Sequence, residues 1–117
     1  MITDTNTPIF IQLCNTVKEQ ILDGKLKADE RIPSVREIAA TYEVNNNTAM
    51  RSVELLGSEG IIYQKRGVGY FVSQQAFDII KNQKQADFLN AVLPQVRKTV
   101  LQLGIKPEEF LQMVYSE

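Results

Sequence analysis

Residues 33–72, PSVREIAATYEVNNNTAMRSVELLGSEGIIYQKRGVGYFV, decide the fold of this chain. Ser34 and Glu37 have the spacing of a capping box, in which each side chain bonds the backbone N–H of the other residue at the start of a helix. The apolar residues that follow recur at helical spacing and form one face of a short helix. This face consists of Val35, Ile38, Ala39 and Tyr42.

Three consecutive asparagines, Asn45 to Asn47, interrupt this stretch and allow two interpretations. Asparagine bonds its own backbone readily, and an isolated triplet is therefore typical of a turn. Asn45 is also a good cap for a second helix that ends near Glu59 and stops at Gly60. That helix would bury Ala49, Val53 and Leu56. Two helices joined by so few residues cross steeply, which predicts a helix-turn-helix.

The sequence on either side of these two helices predicts a winged helix. After them, an apolar run, the break Arg66-Gly67-Val68-Gly69 and a second apolar run predict a β-hairpin. Before them, an amphipathic helix is capped by Thr7, begins at Pro8 and stops at Gly24. Its apolar stripe contains Phe10, Leu13, Cys14, Val17 and Ile21.

Residues 76–117 predict a helical tail, with Pro94 kinking a long helix near Asn90 and Pro107 opening a last helix. So much aliphatic surface on a small domain favours pairing of two chains. The predicted dimerisation residues are Phe77, Ile80, Phe88, Leu89, Val92, Val96, Val100 and Leu103.

Taken together, these elements predict a fold that is mainly α with a small β-hairpin. A winged helix-turn-helix DNA-binding domain, residues 1–75, precedes a two-helix dimerisation region, residues 76–117.

Composition limits the function classes. The chain of 117 residues has no histidine and one cysteine, which excludes a histidine base, a His/Cys metal site and an internal disulfide. We expect no catalytic residues, no metal and no cofactor, and Cys14 is interpreted as a core thiol. The absence of a long apolar run or a signal-like start predicts a soluble, cytoplasmic protein without membrane contact. The net charge of −1 leaves DNA binding dependent on a local basic face.

Polar and basic residues of the predicted helix-turn-helix and hairpin suit DNA. Asparagine at the start of a recognition helix can pair with adenine in the major groove, and threonine can meet a thymine methyl group. Arginine and lysine at helix starts and hairpin tips can reach phosphates. The predicted DNA-binding residues are Ser34, Arg36, Asn46, Asn47, Thr48, Arg51, Lys65, Arg66, Gly67 and Gly69.

Structural roles for several of these residues stay open. Arg36 could pair with Glu37 or Asp29, and Lys65 and Arg66 could merely solubilise a hairpin tip. Met50 could pack between helices or touch a groove. A rival function is a winged-helix protein-interaction module without specific DNA binding, whose tail docks a partner.

The combined pattern PSxRE, VNxNTxxR, LxxEG and RGxGxFV resembles the DNA-binding domain of GntR-type bacterial transcription regulators. The short tail resembles the YtrA-like subfamily. The resemblance implies a homodimeric regulator, usually a repressor, that binds double-stranded operator DNA and often lies beside ABC-transporter genes. It implies operator contacts for Arg36, the start of the recognition helix with Arg51, and the wing residues Arg66, Gly67 and Gly69. Whether a small-molecule effector binds is left open.

Two departures from the family pattern affect these expectations. Many relatives have arginine in place of Asn46, and often another in place of Met50, so the preferred bases are expected to differ. Ala28 and Asp29 replace a common Pro-Gly; aspartate tolerates turn geometry, and the change is expected to be harmless.

Overall fold

The computed structural model describes residues 6–117 and contains six α-helices, one π-helical turn and a two-stranded antiparallel hairpin in that range. The first part of the chain forms α1 (Ile9–Leu22), α2 (Val35–Tyr42), α3 (Asn46–Ser58), β1 (Ile62–Lys65) and β2 (Gly69–Val72). The hairpin is followed by α4 (Ala76–Asp87), the π-helical turn (Phe88–Val92), α5 (Leu93–Leu103) and α6 (Pro107–Tyr115). The predicted fold class, mainly α with a small hairpin, is confirmed.

Side-chain caps fix the starts of α2 and α3. The Glu37 backbone N–H donates to the Ser34 hydroxyl at 3.1 Å, and the Ser34 backbone N–H donates to the Glu37 carboxylate at 2.9 Å. The Asn45 side-chain oxygen accepts from the Thr48 backbone N–H at 2.8 Å. Glu43 turns the chain between the two helices in the left-handed conformation, with φ of 56°. The predicted helix-turn-helix is therefore confirmed, and Asn45 belongs to its turn.

The start of α1 differs from the prediction by one residue. Pro8, expected as the first helical residue, is instead the residue before the helix, and its carbonyl accepts from Ile11 and Gln12. Proline is well suited to this position because its fixed φ fits an extended entry to the helix. The helix ends as predicted, with Gly24 in the left-handed region at φ of 80°.

The hairpin joins the core through one of its faces. Its register pairs Ile62 with Val72 and Lys65 with Gly69. Ile62 and Val72 are buried in a core cluster with residues of α1, α2 and α3. α3 packs against α1, α2 and β1, and it lies at the centre of this unit. The opposite face of the hairpin is left for solvent.

The chain divides into two compact units, one ending at Lys81 and the other spanning Asn82–Glu117. The predicted boundary lay between residues 75 and 76. Ala76 and Ile80 on α4 are 1% and 0% exposed and belong to the core of the first unit, which places the start of α4 with the winged helix. Ile80, predicted to contact a second chain, is therefore a core residue and has no surface for a partner.

Pro94 disturbs the helix of the second unit where the sequence predicts. Proline has no backbone N–H, so the carbonyl of Asn90 lacks its usual partner four residues later. The chain responds with the π-helical turn, in which the Leu93 backbone N–H donates to the carbonyl of Phe88, five residues earlier. The disturbance predicted near Asn90 thus appears as a wider helical turn.

No residue of the second unit, Asn82–Glu117, is buried. Its helices α5 and α6 carry large apolar side chains that are at least half exposed, among them Leu101, Leu103, Leu111 and Met113, and Val92 of the π-helical turn is 50% exposed. An apolar groove of about 620 Å³ runs between residues of these helices, including Val96, Val100 and Phe110. None of the helices in residues 6–117 is both long and apolar enough to cross a membrane.

Candidate nucleic-acid interface

The exposed face of α3 presents the polar residues predicted to read DNA. Asn46 and Asn47 are exposed in the first turn, and Arg51 is exposed one turn after Asn47 on the same side of the helix. The opposite side of α3 is buried through Ala49 and Val53. Thr48 is only half-buried, and its backbone N–H is bound by the Asn45 cap. The first turn of α3 thus exposes two amide side chains on a capped helix start.

Arg51 is held by an aromatic ring of α1. Its guanidinium carbon lies 4.1 Å from the centre of the Phe10 ring, within the range of a cation–π contact. Phe10 was predicted only as part of the apolar stripe of α1. The structure shows that it also contacts the guanidinium of the arginine on α3. Met50, on the neighbouring surface, is 38% exposed, which favours a surface role over helix packing.

The solvent face of the hairpin is an aromatic platform that carries a lysine. The rings of Tyr63 and Phe71 stack with centroids 5.8 Å apart. The ammonium of Lys65 lies 4.7 Å from the centre of the Phe71 ring. Arg66 and Gly67 follow in the exposed turn, and Gly67 has the positive φ of 76° that the turn requires. Lys65 is therefore positioned and does not extend freely from the tip.

Asp29 ties the loop before α2 to this platform. Its φ is 66°, so it supplies the left-handed turn for which a glycine is otherwise used. Its carboxylate accepts hydrogen bonds from the Tyr63 hydroxyl at 2.9 Å and from the Gln74 amide. The hydrogen bond to Asp29 raises the pKa of the Tyr63 phenol. The predicted turn geometry of Asp29 is confirmed, and the residue also fastens the hairpin.

Arg31 lies over the hairpin at Gly69. A Cβ atom added to Gly69 would lie 2.8 Å from Nε of Arg31, and Gly69 has a φ of 145°. Gly69 therefore leaves room for the guanidinium besides adopting a backbone conformation that favours glycine. The guanidinium of Arg31 covers the side of Gly69 on which a Cβ atom would lie. The predicted contact of Gly69 with DNA would therefore form beside Arg31.

The start of α2 combines an exposed arginine with the capping box. Arg36 is exposed, and no carboxylate in residues 6–117 lies within ion-pair distance of it, so the predicted pairing with Glu37 or Asp29 is absent there. Hydrogen bonding to Ser34, first of all to its backbone N–H, lowers the pKa of the Glu37 carboxyl, and the positive charge of Arg31 lowers it further. Ser34 itself is half-buried and acts as the cap.

The lone cysteine is buried in the core and does not belong to this surface. Cys14 is 1% exposed and its thiol donates to the Ser52 carbonyl at 3.3 Å. Burial raises the pKa of the thiol to about 11. The prediction of a core thiol is confirmed.

The structure groups the predicted DNA-binding residues on three elements. Asn46, Asn47, Thr48 and Arg51 lie on α3, Ser34 and Arg36 at the start of α2, and Lys65, Arg66, Gly67 and Gly69 on the hairpin. Three residues that hold or extend this set are not predicted from the sequence: Phe10, Arg31 and Phe71. The register of the hairpin would have placed Lys65 beside Phe71, since Tyr63 opposes Phe71 and Lys65 opposes Gly69. No local pattern points to Arg31 or to the role of Phe10, because both contacts join distant parts of the chain.

Comparison with known proteins points to one family. The sequence model of "Bacterial regulatory proteins, gntR family" matches residues 12–72. The HTH-type transcriptional repressor YtrA of Bacillus subtilis (strain 168) is 39% identical over 72 residues, which cover 62% of this chain and 55% of YtrA. The chain thus spans about half the length of that relative.

Solved structures resemble either nearly the whole chain or about three fifths of it. A GntR family transcriptional regulator from Listeria monocytogenes has a TM-score of 0.76 and 26% identity, covering 98% of this chain and 99% of that one. The DNA-binding domain of AraR in complex with operator ORX1 has a TM-score of 0.57 and 25% identity, covering 62% of this chain and 93% of that one.

Proposed function

The chain belongs to the GntR family of bacterial regulatory proteins and is a DNA-binding transcriptional regulator, and we propose that it represses transcription as a homodimer on a palindromic operator. The observation that carries the proposal is the capped start of α3, where Asn46 and Asn47 are exposed beside the ring-supported Arg51. Short amides at this position suit the major groove, where asparagine pairs with adenine through two hydrogen bonds.

The homodimer is supported by the second unit. A helical segment in which no residue is buried has no core of its own and gains stability by covering its apolar side chains. We propose that two copies pair through this unit, with contributions from Phe88, Leu89, Val92, Val96, Val100 and Leu103. Phe77, which is 48% exposed on α4, completes the proposed set.

The two recognition helices of such a dimer enter successive major grooves. Half-sites are then separated by about 10 base pairs, or a multiple of this, and are inverted relative to one another. Many relatives have arginine, which pairs with guanine, where this chain has Asn46. Asn46 should instead favour an operator with adenine at the contacted position. The repressor role is supported by the likeness to YtrA. Membership of the YtrA-like subfamily, control of ABC-transporter genes and a cytoplasmic location complete the proposal.

Selection from random DNA duplexes with the full chain tests the proposal. We expect enriched duplexes with inverted half-sites at this spacing, and retention on heparin that falls steeply with salt. The selected site, placed in a reporter promoter, should give higher expression when the regulator is deleted. If no duplex is enriched and heparin retention is weak, the domain is instead a winged helix that binds protein.

The existence of a small-molecule effector is a separate question. The apolar groove of the second unit, lined by Val96, Val100 and Phe110, is open and has room for apolar groups. We propose that the partner chain fills this groove in the dimer. The interface then leaves no separate cavity for an effector. A ligand screen by thermal melting tests this, because a compound that binds the folded state raises the melting temperature.

A further inference from the structure

Arg31 belongs to a short segment that runs beside the hairpin as a third strand. The Ile32 backbone N–H donates to the Tyr70 carbonyl at 2.9 Å, and the Val72 backbone N–H donates to the Glu30 carbonyl at 2.9 Å. These bonds place Arg31 opposite Phe71 in an antiparallel bridge. The backbone of Arg31 is therefore fixed to β2 on the side away from β1.

This pairing determines the side of the hairpin to which the Arg31 side chain belongs. Residues directly opposite each other in antiparallel strands carry their side chains on the same face. Tyr63, Phe71 and Arg31 form one such row, and Lys65 opposes Gly69 in the next. The guanidinium of Arg31 reaches from its own row to the space above Gly69. Arg31 and Lys65 are thus neighbours on the solvent face of the hairpin.

The nearby carboxylates of the described residues accept hydrogen bonds from other groups and form no close ion pair with these two cations. Asp29 is bonded to Tyr63 and Gln74, and Glu37 is bonded to the backbone of Ser34. Within residues 6–117, no carboxylate lies within 4.0 Å of the charged atoms of Arg31 or Lys65. Both cations are held by the fold at Gly69 and at the Phe71 ring. Two neighbouring positive charges on one exposed face suit an anion.

We propose that Arg31 is a further DNA-binding residue, which contacts a backbone phosphate beside Lys65 and is directed there by the open space at Gly69. The inference rests on the proposed function, since the phosphodiester is the anion that operator DNA brings to the hairpin. The planar guanidinium suits phosphate oxygens because it can donate two parallel hydrogen bonds. Because Arg31 would contact the DNA backbone, it would confer no base preference. The amides on α3, in contrast, would contact bases.

The test compares full-length variants on a duplex selected by the wild-type protein and on a scrambled duplex of equal length. Binding is measured by fluorescence anisotropy over a series of salt concentrations. Arg31→Gln should weaken binding to both duplexes by about tenfold. The slope of log affinity against log salt should fall by about 0.9 per protomer. Arg31→Lys should retain the slope because it retains the charge. Lys25→Gln removes the same charge from the exposed loop after α1 and should change the slope less.

Thermal melting separates this role from a packing role. The melting temperature of Arg31→Gln should stay within about 2 °C of the wild type. The inference is overturned if the slope of Arg31→Gln equals that of the wild type, whether or not the melting temperature falls. It is also overturned if Lys25→Gln lowers the slope equally. Failure of the wild-type protein to select any duplex would instead count against the proposed function, so the two failures are distinguishable.

Discussion

Two cationic side chains of the candidate interface contact aromatic rings of the protein itself. Arg51 lies over Phe10 and Lys65 over Phe71, with distances to the ring centres of 4.1 Å and 4.7 Å. Ordering one flexible side chain at an interface costs about 0.5–1.5 kcal/mol. Folding of the domain already restricts these two side chains, and less of this cost remains for binding. We therefore predict that the rings raise DNA affinity by ordering these two cations.

Substitution of Phe10 tests this contribution. Phe10→Leu keeps an apolar side chain on α1 but removes the ring face, so DNA affinity should fall by about 2- to 10-fold per protomer. The measurement is anisotropy on the selected duplex, repeated in an Arg51→Gln background. In that background the effect of Phe10→Leu should vanish. An undiminished effect would show that Phe10 acts through packing alone.

The asparagine triplet provides a matched pair of substitutions. Asn45→Ala removes the cap of α3 and should lower the free energy of unfolding by about 1 kcal/mol, with base preference unchanged. Asn47→Ala leaves the cap intact and should relax the preference at one base pair, at a cost of about 1–3 kcal/mol for the preferred base. Chemical denaturation and repeated duplex selection measure the two effects. Equal weakening of all duplexes by Asn47→Ala would contradict the base-reading role.

At the scale of elements, the features predicted from the sequence are those set by neighbouring residues. The Ser34–Glu37 box and the Asn45 cap each join residues three apart, so their spacing alone predicts the helix starts. The position of Arg31 over Gly69 depends on how a loop lies beside a strand, which no local pattern encodes. The burial of Ile80 likewise depends on the surface against which α4 packs, and helical periodicity does not identify that surface.

The capping box of α2 predicts a loss of stability in acid. Hydrogen bonding to Ser34 lowers the pKa of Glu37 in the folded state, so the ionised carboxylate stabilises the fold. This contribution is present above the ordinary glutamate pKa of about 4.3 and is lost as the pH falls through the lower folded-state value. The melting temperatures of the wild type and Glu37→Gln should therefore differ at neutral pH and converge in acid. Glu54→Gln, at an exposed position on α3, should show no such convergence.

At the scale of the whole molecule, the two units differ in how they hold their apolar residues. The unit that ends at Lys81 has a core in which Ile32, Leu56 and Ile61 are at most 1% exposed. The unit Asn82–Glu117 has no buried residue. The first unit thus has an apolar interior, whereas the second leaves its apolar side chains exposed, where covering them would be favourable. The proposed homodimer supplies that surface from a second copy of the same helices.

A charge placed on the exposed apolar face of the second unit should prevent pairing. Val92 is 50% exposed, so Val92→Asp is tolerated in the single chain but would bury a carboxylate in the paired state. Dimerisation should weaken by at least about tenfold, and operator affinity should fall with it. Sedimentation velocity over a range of concentrations measures the change. Ile9→Asp, at a 48% exposed position on α1, is the matched control and should leave pairing unchanged.

The absence of a buried residue in Asn82–Glu117 also bears on how the regulator responds to its own abundance. In the proposed homodimer, order in this segment and association of two chains are one equilibrium, so the amount of dimer rises with the square of the chain concentration when most chains are single. Doubling synthesis then raises the DNA-binding form about fourfold. Promoter occupancy consequently follows gene dosage more steeply than proportionally, and a modest change in production or turnover can act as a regulatory signal.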